Sequence, residues 1–134
     1  MTNIPWEKVY RLGGEVAIDT YTRIFNFKLN RNILHLNKSL YKMGKQNTCM
    51  CCFCKSEEET PIHLFSKCRI SRNIWREVQL QYQNNIQLPD LSPQSAYLGF
   101  YEIIENKIII NHILLIFKLT LYLSRKNKHA ICNL

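Results

Sequence analysis

The residues of this chain that could do chemistry are concentrated in the stretch CMCCFCKSEEETPIHLFSKC, from Cys49 to Cys68. Within it, three cysteines and one histidine follow the pattern Cys51-x2-Cys54-x8-His63-x4-Cys68. Three thiolates and one imidazole suit Zn²⁺, which binds four such groups in a tetrahedron at about 2.0–2.3 Å. Because four protein ligands leave no open position for substrate, the spacing predicts one structural zinc ion.

The surplus cysteines leave two alternatives open. Cys49 and Cys52 form a second Cys-x2-Cys register, so either could replace one of the first two ligands. Six cysteines could form three disulfides in a secreted chain, but the N-terminal stretch MTNIPWEKVY is charged and lacks the apolar segment of a signal peptide. We therefore expect an intracellular location, with the nucleus as one option, where clustered Cys and His indicate metal. Cys132 and His35 are not expected to be ligands.

The elements around the ligands must bring them together. Thr60-Pro61 is a good helix start, which would place His63 in the first turn. On an uninterrupted helix His63 and Cys68 would point about 140° apart, so we expect a break or a tightened turn at residues 66–69. A second helix should run from about Ile70 to Tyr82. Its inward residues should be Ile74, Trp75 and Val78, and its outward residues Arg72, Arg76 and Gln79.

Three helices are predicted before the cysteine-rich stretch. The first, over residues 5–12, should end at Gly13-Gly14, and Asp19 or Thr20 should cap a longer second helix. The second helix has apolar residues at helical spacing that should form a core stripe, namely Tyr21, Ile24, Phe25, Leu29 and Ile33. Asn37 should cap a short third helix.

The C-terminal part begins with a connector at residues 84–95, which is rich in turn-forming residues. An apolar segment follows from Lys107 to Lys128, but its polar residues keep each uninterrupted apolar run far below the roughly 20 residues of a membrane helix. On a helical wheel four polar residues fall within about 40° of one another, which predicts a core helix with one solvent-exposed stripe. These residues are Lys107, Asn111, Lys118 and Arg125.

The composition is that of one small folded domain with an acidic partner. The chain has 134 residues, of which 46% are hydrophobic, and a formal net charge of +8. Such a charge favours nucleic acid or an anionic membrane surface, and residues 1–48 alone carry eight Lys/Arg against three Asp/Glu. We predict a mainly α single domain of packed helices with a central Cys-Cys-His-Cys zinc module. Its three segments should form one compact unit: basic helical residues 1–48, the zinc module with its following helix at 49–83, and the connector with the apolar helix at 84–134.

The string CCFCKSEEETPIHLFSKCRISRNIW resembles the zinc-binding region that follows the polymerase domain in reverse transcriptases of LINE-type, non-LTR retrotransposons. The shared features are two close cysteines, an acidic stretch ending in Glu-Thr, a His-Leu-Phe triplet, another cysteine and a downstream tryptophan. Here these are Cys51, Cys54, Glu57 to Thr60, His63 to Phe65, Cys68 and Trp75. The blocks IPWEKVYRL, DTYTRIFNFKLNRNIL, LNKSLYKMG, YLGF and NHILLIFKLTLYLSR are similar too, so the resemblance covers most of the chain.

The resemblance implies a noncatalytic module that binds RNA or DNA while a polymerase works. The polymerase itself is missing, since the chain has no Tyr-x-Asp-Asp motif and only two aspartates. We expect a detached C-terminal fragment or a remnant put to another use. Phe53 and Trp75 should pack inward rather than stack on bases, and Glu57 to Glu59 should mark a solvent edge or support the helix at Thr60. The residues expected to contact phosphate are Lys55, Lys67, Arg69, Arg72 and Arg76.

Two other classes of function compete with nucleic-acid binding. One is a protein-interaction module whose apolar C-terminal helix docks on a polymerase domain or a host protein, which a large exposed apolar patch would favour. The other is a nuclease, because Pro89-Asp90 and Glu105-x-Lys107 fit the loose PD-(D/E)xK pattern in which two acids hold Mg²⁺. That pattern needs paired strands, whereas Pro89-Asp90 lies in a turn-rich stretch. We therefore predict no enzymatic activity and no membrane partner.

Overall fold

The computed structural model describes residues 4–16, 19–103 and 105–125. Over these residues the protein is helical, and its β pairing is limited to an isolated antiparallel bridge between Met50 and Glu58. The predicted mainly α class is confirmed. The helices are α1 (Trp6–Val16), α2 (Thr20–Asn30), α3 (Asn37–Lys42), α4 (Arg69–Tyr82), α5 (Pro93–Leu98) and α6 (Lys107–Ser124), with a π-helical turn at His63–Lys67 before α4.

Helix α2 begins as predicted, whereas α1 does not end as predicted. The Asp19 side chain accepts a hydrogen bond from the Thr22 amide, and the Thr22 hydroxyl completes the capping box. Helix α1 continues through Gly13-Gly14. A glycine costs a helix interior only about 1 kcal/mol, and α1 packs against both α2 and α6, so tertiary contact outweighs the local stop signal.

The core is built around the π turn, which contacts α4, α5 and α6, while α1 and α2 pack against α6. Phe25 of α2 makes an edge-to-face contact with Phe65 of the π turn, with ring centroids 6.3 Å apart. Trp75 of α4 packs on Phe117 of α6 at 4.9 Å. The segment that carries His63 and Cys68 therefore belongs to the same core as the C-terminal helix.

The core stripe of α2 is narrower than predicted. Phe25 and Leu29 are buried, but Tyr21, Ile24 and Ile33 are 56%, 50% and 47% exposed. Two polar residues take the remaining buried positions of this helix. Helical spacing shows which side chains share a face, but the neighbouring elements decide how much of that face is covered.

Helix α6 buries part of the polar stripe that was predicted to face solvent. Asn111 and Lys118 are almost fully buried. The Asn111 side chain accepts from the amide of Phe100 and donates to its carbonyl, and Lys118 Nζ donates to the Ser95 carbonyl at 3.2 Å. The prediction that Asn111 and Lys118 face solvent was wrong. Both side chains form hydrogen bonds with the backbone of α5 and the loop after it, so their polar groups are satisfied inside the core.

Helix α6 has the length and apolar composition of a membrane-spanning helix, and it is the one such helix among the described residues. A buried core helix passes the same test, and 44% of the 18-residue window is buried inside the protein. Because α6 contacts α1, α2 and the π turn, its place in the core accounts for the apolar residues on its buried face, whereas Ile108, Ile109 and Ile116 stay exposed.

Candidate metal centre

Four side chains converge beside the core. Ligand atoms of Cys51, Cys54, His63 and Cys68 all lie within 4.8 Å of one another. The two Sγ atoms of Cys51 and Cys68 are 3.9 Å apart, and Sγ of Cys54 is 3.2 Å from Nε2 of His63. A tetrahedral zinc ion would hold such atoms about 3.5–3.8 Å apart, given bonds of about 2.0–2.3 Å. The cluster is therefore able to bind a metal ion with only small side-chain movements.

The π turn brings His63 and Cys68 to the same side of the chain. Thr60 starts the turn, because its Oγ1 accepts a hydrogen bond from the His63 amide at 3.1 Å. The Cys68 amide then donates to the His63 carbonyl at 2.6 Å, which is the i→i+5 bond of a π-helix. The predicted break is confirmed, but the predicted tightening is wrong. The turn is wider than an α-helical turn, and this extra width brings Cys68, five positions after His63, back beside it.

Hydrogen bonds around the cluster favour a thiolate at Cys68, which is the N-cap residue of α4. The hydrogen bond shared with the Cys51 thiol, helped by the amides of Ser71 and Ile70, lowers the pKa of Cys68 below its usual value although burial opposes it. The same hydrogen bond, together with burial, raises the pKa of Cys51, although the backbone amides of Cys54 and Phe53 act in the opposite direction. The two sulfur atoms share one proton in this hydrogen bond. A metal ion binds deprotonated thiols, so it would replace that proton and bind both sulfur atoms.

The second cysteine register lies outside the cluster. The Cys52 amide donates to Oε2 of Glu59 at 2.9 Å, and burial together with this carboxylate raises the pKa of the Cys52 thiol to about 12. The Cys49 carbonyl accepts from the Glu59 amide, and its side chain is not among the converging groups. Cys132 lies outside the described residues. Among the described cysteines, Cys51, Cys54 and Cys68 are thus the ones that meet the histidine.

Glu59 holds the first cysteine turn in place, and sequence reasoning missed this role. The residue was predicted to mark a solvent edge or to support the helix at Thr60, yet it is fully buried. Its Oε1 accepts from the Asn37 amide at 3.0 Å and pairs with Arg125 at 2.7 Å, while Oε2 accepts from the Cys52 amide. One carboxylate therefore ties the cysteine turn to the start of α3 and to the residue that follows α6.

The same network corrects the prediction for α3. Leu36 is the N-cap residue and provides no side-chain cap. Asn37 is the first helical residue, and its side chain donates to the Met50 carbonyl at 2.8 Å and accepts from Arg125 at 2.8 Å. The Glu59 carboxylate binds the amide of Asn37 and the Glu59 carbonyl binds the amide of Lys38, so Glu59 satisfies two of the free amides at the start of α3. Its negative charge also favours this end of the helix electrostatically.

All the basic residues predicted to contact nucleic acid are exposed, namely Lys55, Lys67, Arg69, Arg72 and Arg76. On α4 the two arginines Arg72 and Arg76 stand one turn apart on the solvent side. Lys55 directly follows a cysteine of the cluster and has a left-handed backbone, with φ of 58°. The structure thus exposes all five basic side chains, and three of them, Lys55, Lys67 and Arg69, are next in sequence to a cysteine of the cluster.

Phe53 and Trp75 pack inward, as predicted. They are 4% and 2% exposed, and the Trp75 indole donates to the Pro89 carbonyl at 2.9 Å. Neither residue therefore offers a free ring face to a nucleic-acid base. If aromatic stacking contributes to binding, it has to come from other rings.

The residues of the nuclease pattern have no strand framework. The described part of the chain contains no strand, and Asp90 lies in the connector, where it accepts a hydrogen bond from Gln79 at 3.0 Å. Gln79 also donates to the carbonyls of Leu88 and Pro89, so its predicted outward orientation is wrong. Glu105 lies in an exposed turn before α6. The paired strands that the PD-(D/E)xK arrangement requires are missing from these residues.

A closed set of four soft ligands, held by a cysteine turn and a π turn, defines a structural metal-binding module. The family model for zinc-binding in reverse transcriptase matches residues 5–75, which is more than half of the chain and includes the whole cluster. The chain belongs to this family of zinc-binding domains, which is distinct from the catalytic domain of reverse transcriptases. No curated protein and no solved structure matches the chain significantly.

Proposed function

We propose that the protein is a noncatalytic nucleic-acid-binding module derived from a LINE-type reverse transcriptase and built around one structural zinc ion. The observation that carries the proposal is the convergence of Cys51, Cys54, His63 and Cys68 in a chain of this zinc-binding family. When bound, the ion would fill its coordination sphere with these four ligands and stabilise the fold rather than activate water.

The ligand residues also position the basic surface. Cys68 is both a member of the cluster and the N-cap residue of α4, so fixing Cys68 fixes the start of the helix that carries Arg72 and Arg76. Lys67 and Arg69 stand on either side of Cys68 in the chain and are exposed. Long cationic side chains of this kind contact phosphates without reading base edges, so we expect sequence-tolerant binding of RNA or DNA. The net charge of +8 would attract such a partner.

Binding of a labelled single strand, titrated with salt, tests this proposal. Each phosphate contact releases counterions, so the logarithm of the binding constant should fall with log salt by a slope of about −0.7 per contact. Changing Arg72→Ala and Arg76→Ala together should flatten the slope by about one to two contacts. The free energy of unfolding should stay unchanged, because both side chains are on the solvent side.

The matched control removes two positive charges elsewhere. Lys42 and Lys45 are exposed at the end of α3 and are not among the residues expected to contact phosphate. Changing both to alanine should leave the slope close to that of the wild type. Salt-insensitive binding, or the same loss of slope in the arginine and lysine variants, would contradict the proposed surface.

An apolar groove between α4 and α6 favours a second candidate function, docking of a polymerase domain or a host protein. The groove has a volume of about 650 Å³ and is lined mainly by apolar side chains, among them Ile74, Val78, Ile113, Ile116 and Phe117. Exposed apolar surface of this kind marks protein interfaces. If the arginine changes leave strand binding untouched while Ile116→Ser abolishes a protein complex, docking is the correct function.

A further inference from the structure

Three aromatic rings and one guanidinium form a row across α1 and α2. Trp6 and Tyr10, one turn apart on α1, stack with ring centroids 5.6 Å apart and ring planes 27° apart. The Arg31 guanidinium lies 5.4 Å from the centre of the Tyr10 ring and 4.8 Å from the centre of the Phe27 ring. These four residues, Trp6, Tyr10, Arg31 and Phe27, are the aromatic row.

The aromatic row is open to solvent. Trp6, Tyr10 and Phe27 are 41%, 43% and 50% exposed. Arg31 is also exposed, and it has no carboxylate partner among the described residues. The core contacts of α2 are made by other residues on its buried side. Packing inside this domain therefore does not explain why large rings are stacked on its surface.

The charges around the row are positive. Arg23, Phe27 and Arg31 follow one another at intervals of four residues, so one arginine precedes the Phe27 ring and one follows it along the same face. Helix α2 contains no acidic residue. On α1 the nearby acid Glu7 is already paired with Arg11 at 3.1 Å. Ring surface with unneutralised cations is complementary to a single strand, which offers unstacked bases and negative phosphates.

We infer that the aromatic row stacks on unpaired bases of a single-stranded nucleic acid. This inference rests on the proposed function and deepens it, because it names an unpaired strand as the substrate class. It also assigns base contact to residues of α1 and α2, and phosphate contact remains with the arginines of α4. Phe53 and Trp75 cannot make this contact because both are buried. Every base has a π-face, so stacking on the row is compatible with tolerance of sequence.

An ordinary strand and an abasic strand of the same length test the inference. Both carry the same phosphates, but only the ordinary strand has bases that can stack. The wild type should bind the ordinary strand more tightly, and Tyr10→Ala should weaken that binding roughly 5-fold or more. Phe27→Ala should act in the same direction. Affinity for the abasic strand and the salt slope should stay the same, since no phosphate contact is removed.

A second readout comes from tryptophan fluorescence. The chain has two tryptophans, and Trp75 is buried. Stacking on the row should therefore quench Trp6 when the ordinary strand binds, and the abasic strand should quench it much less. Equal quenching by the two strands would count against the row.

Tyr41→Ala is the matched control, because Tyr41 is a helical tyrosine that is 52% exposed and lies outside the row. This variant should bind both strands as the wild type does. If the wild type binds the two strands equally and with the expected salt dependence, the inference fails while the proposed function stands. If Tyr10→Ala weakens both strands alike, the row has a structural or protein-contact role and the inference is overturned. If the wild type binds neither strand, both proposals fail.

Discussion

The first cysteine turn and the helical core are stabilised by different interactions. Residues 49–59 bury one large apolar side chain, Phe53, and depend on hydrogen bonds to Glu59 and on the convergence of the metal-ligand side chains. The core around α2 and α6 depends instead on apolar packing, as at the fully buried Leu29 and Leu121. The stability of the cysteine turn should therefore depend on the metal ion and on single charged residues such as Glu59. The stability of the helical core should depend on the groups that are buried in it.

The ion pair between Glu59 and Arg125 links the two regions, and breaking it should have the largest effect on stability. Arg125→Met would leave a fully buried carboxylate without its cation. Loss of one partner of a buried pair costs about 3–5 kcal/mol, so the free energy of unfolding in denaturant should fall by about that amount. Hydrogen exchange should rise both in the cysteine turn and at the end of α6.

The control for this change is an exposed ion pair of the same segment. Lys38 pairs with Glu58 at 3.1 Å, and the two side chains are 42% and 53% exposed. Lys38→Met should therefore cost less than about 1 kcal/mol. If Arg125→Met costs no more than Lys38→Met, Glu59 does not couple the turn to the helical core.

Between about pH 7.5 and 9.5, a smaller, pH-dependent effect should mark the helical core alone. Burial lowers the pKa of Lys118 from 10.5 to about 7, and its Nζ is bonded to the carbonyls of Ser95 and Ala96 rather than to a carboxylate. Between these two pKa values the unfolded chain binds the proton and the folded chain does not. Stability should therefore rise with pH across this window, by up to about 1.4 kcal/mol per pH unit. Below the folded pKa the cost is fully present.

Lys118→Met tests this dependence. The free energy of unfolding of both proteins is measured between about pH 7.5 and 9.5, and the difference between the two curves separates Lys118 from other titrating groups. The wild-type curve should rise more steeply than the variant curve. Parallel curves would show that Lys118 is not held neutral by the core.

Local sequence patterns predicted much of the fold and the four residues of the metal-ligand cluster. The spacing of Cys51 to Cys68, the Thr60 helix start and the Asp19 cap are properties of neighbouring residues, so they can be read directly from the chain. The break after His63 also followed from local geometry, because a regular helix cannot bring it beside Cys68. These features succeed because their causes lie within a few residues.

The features that sequence reasoning missed depend on distant partners. Three consecutive glutamates look alike in the sequence, and it is the distant Arg125 that makes Glu59 the buried one. The side of α6 that faces inward depends on where α5 presents free carbonyls, which no local pattern shows. The aromatic row did have a sequence signal, the i, i+4 pair Trp6 and Tyr10, but its meeting with Arg31 depends on the packing of α1 against α2.

The central claim is that a zinc site organises a nucleic-acid-binding surface. Its most direct test compares how zinc-loaded and zinc-depleted protein bind a labelled single-stranded nucleic acid. The purified protein should hold one zinc ion per chain, and chelation should weaken binding and flatten the salt slope, because Cys68 no longer fixes the start of α4. Cys68→Ser should reproduce the chelated state, whereas Cys49→Ser should not, since Cys49 lies outside the cluster. A protein that purifies without zinc, or binds with the same affinity and slope after chelation, would contradict the account.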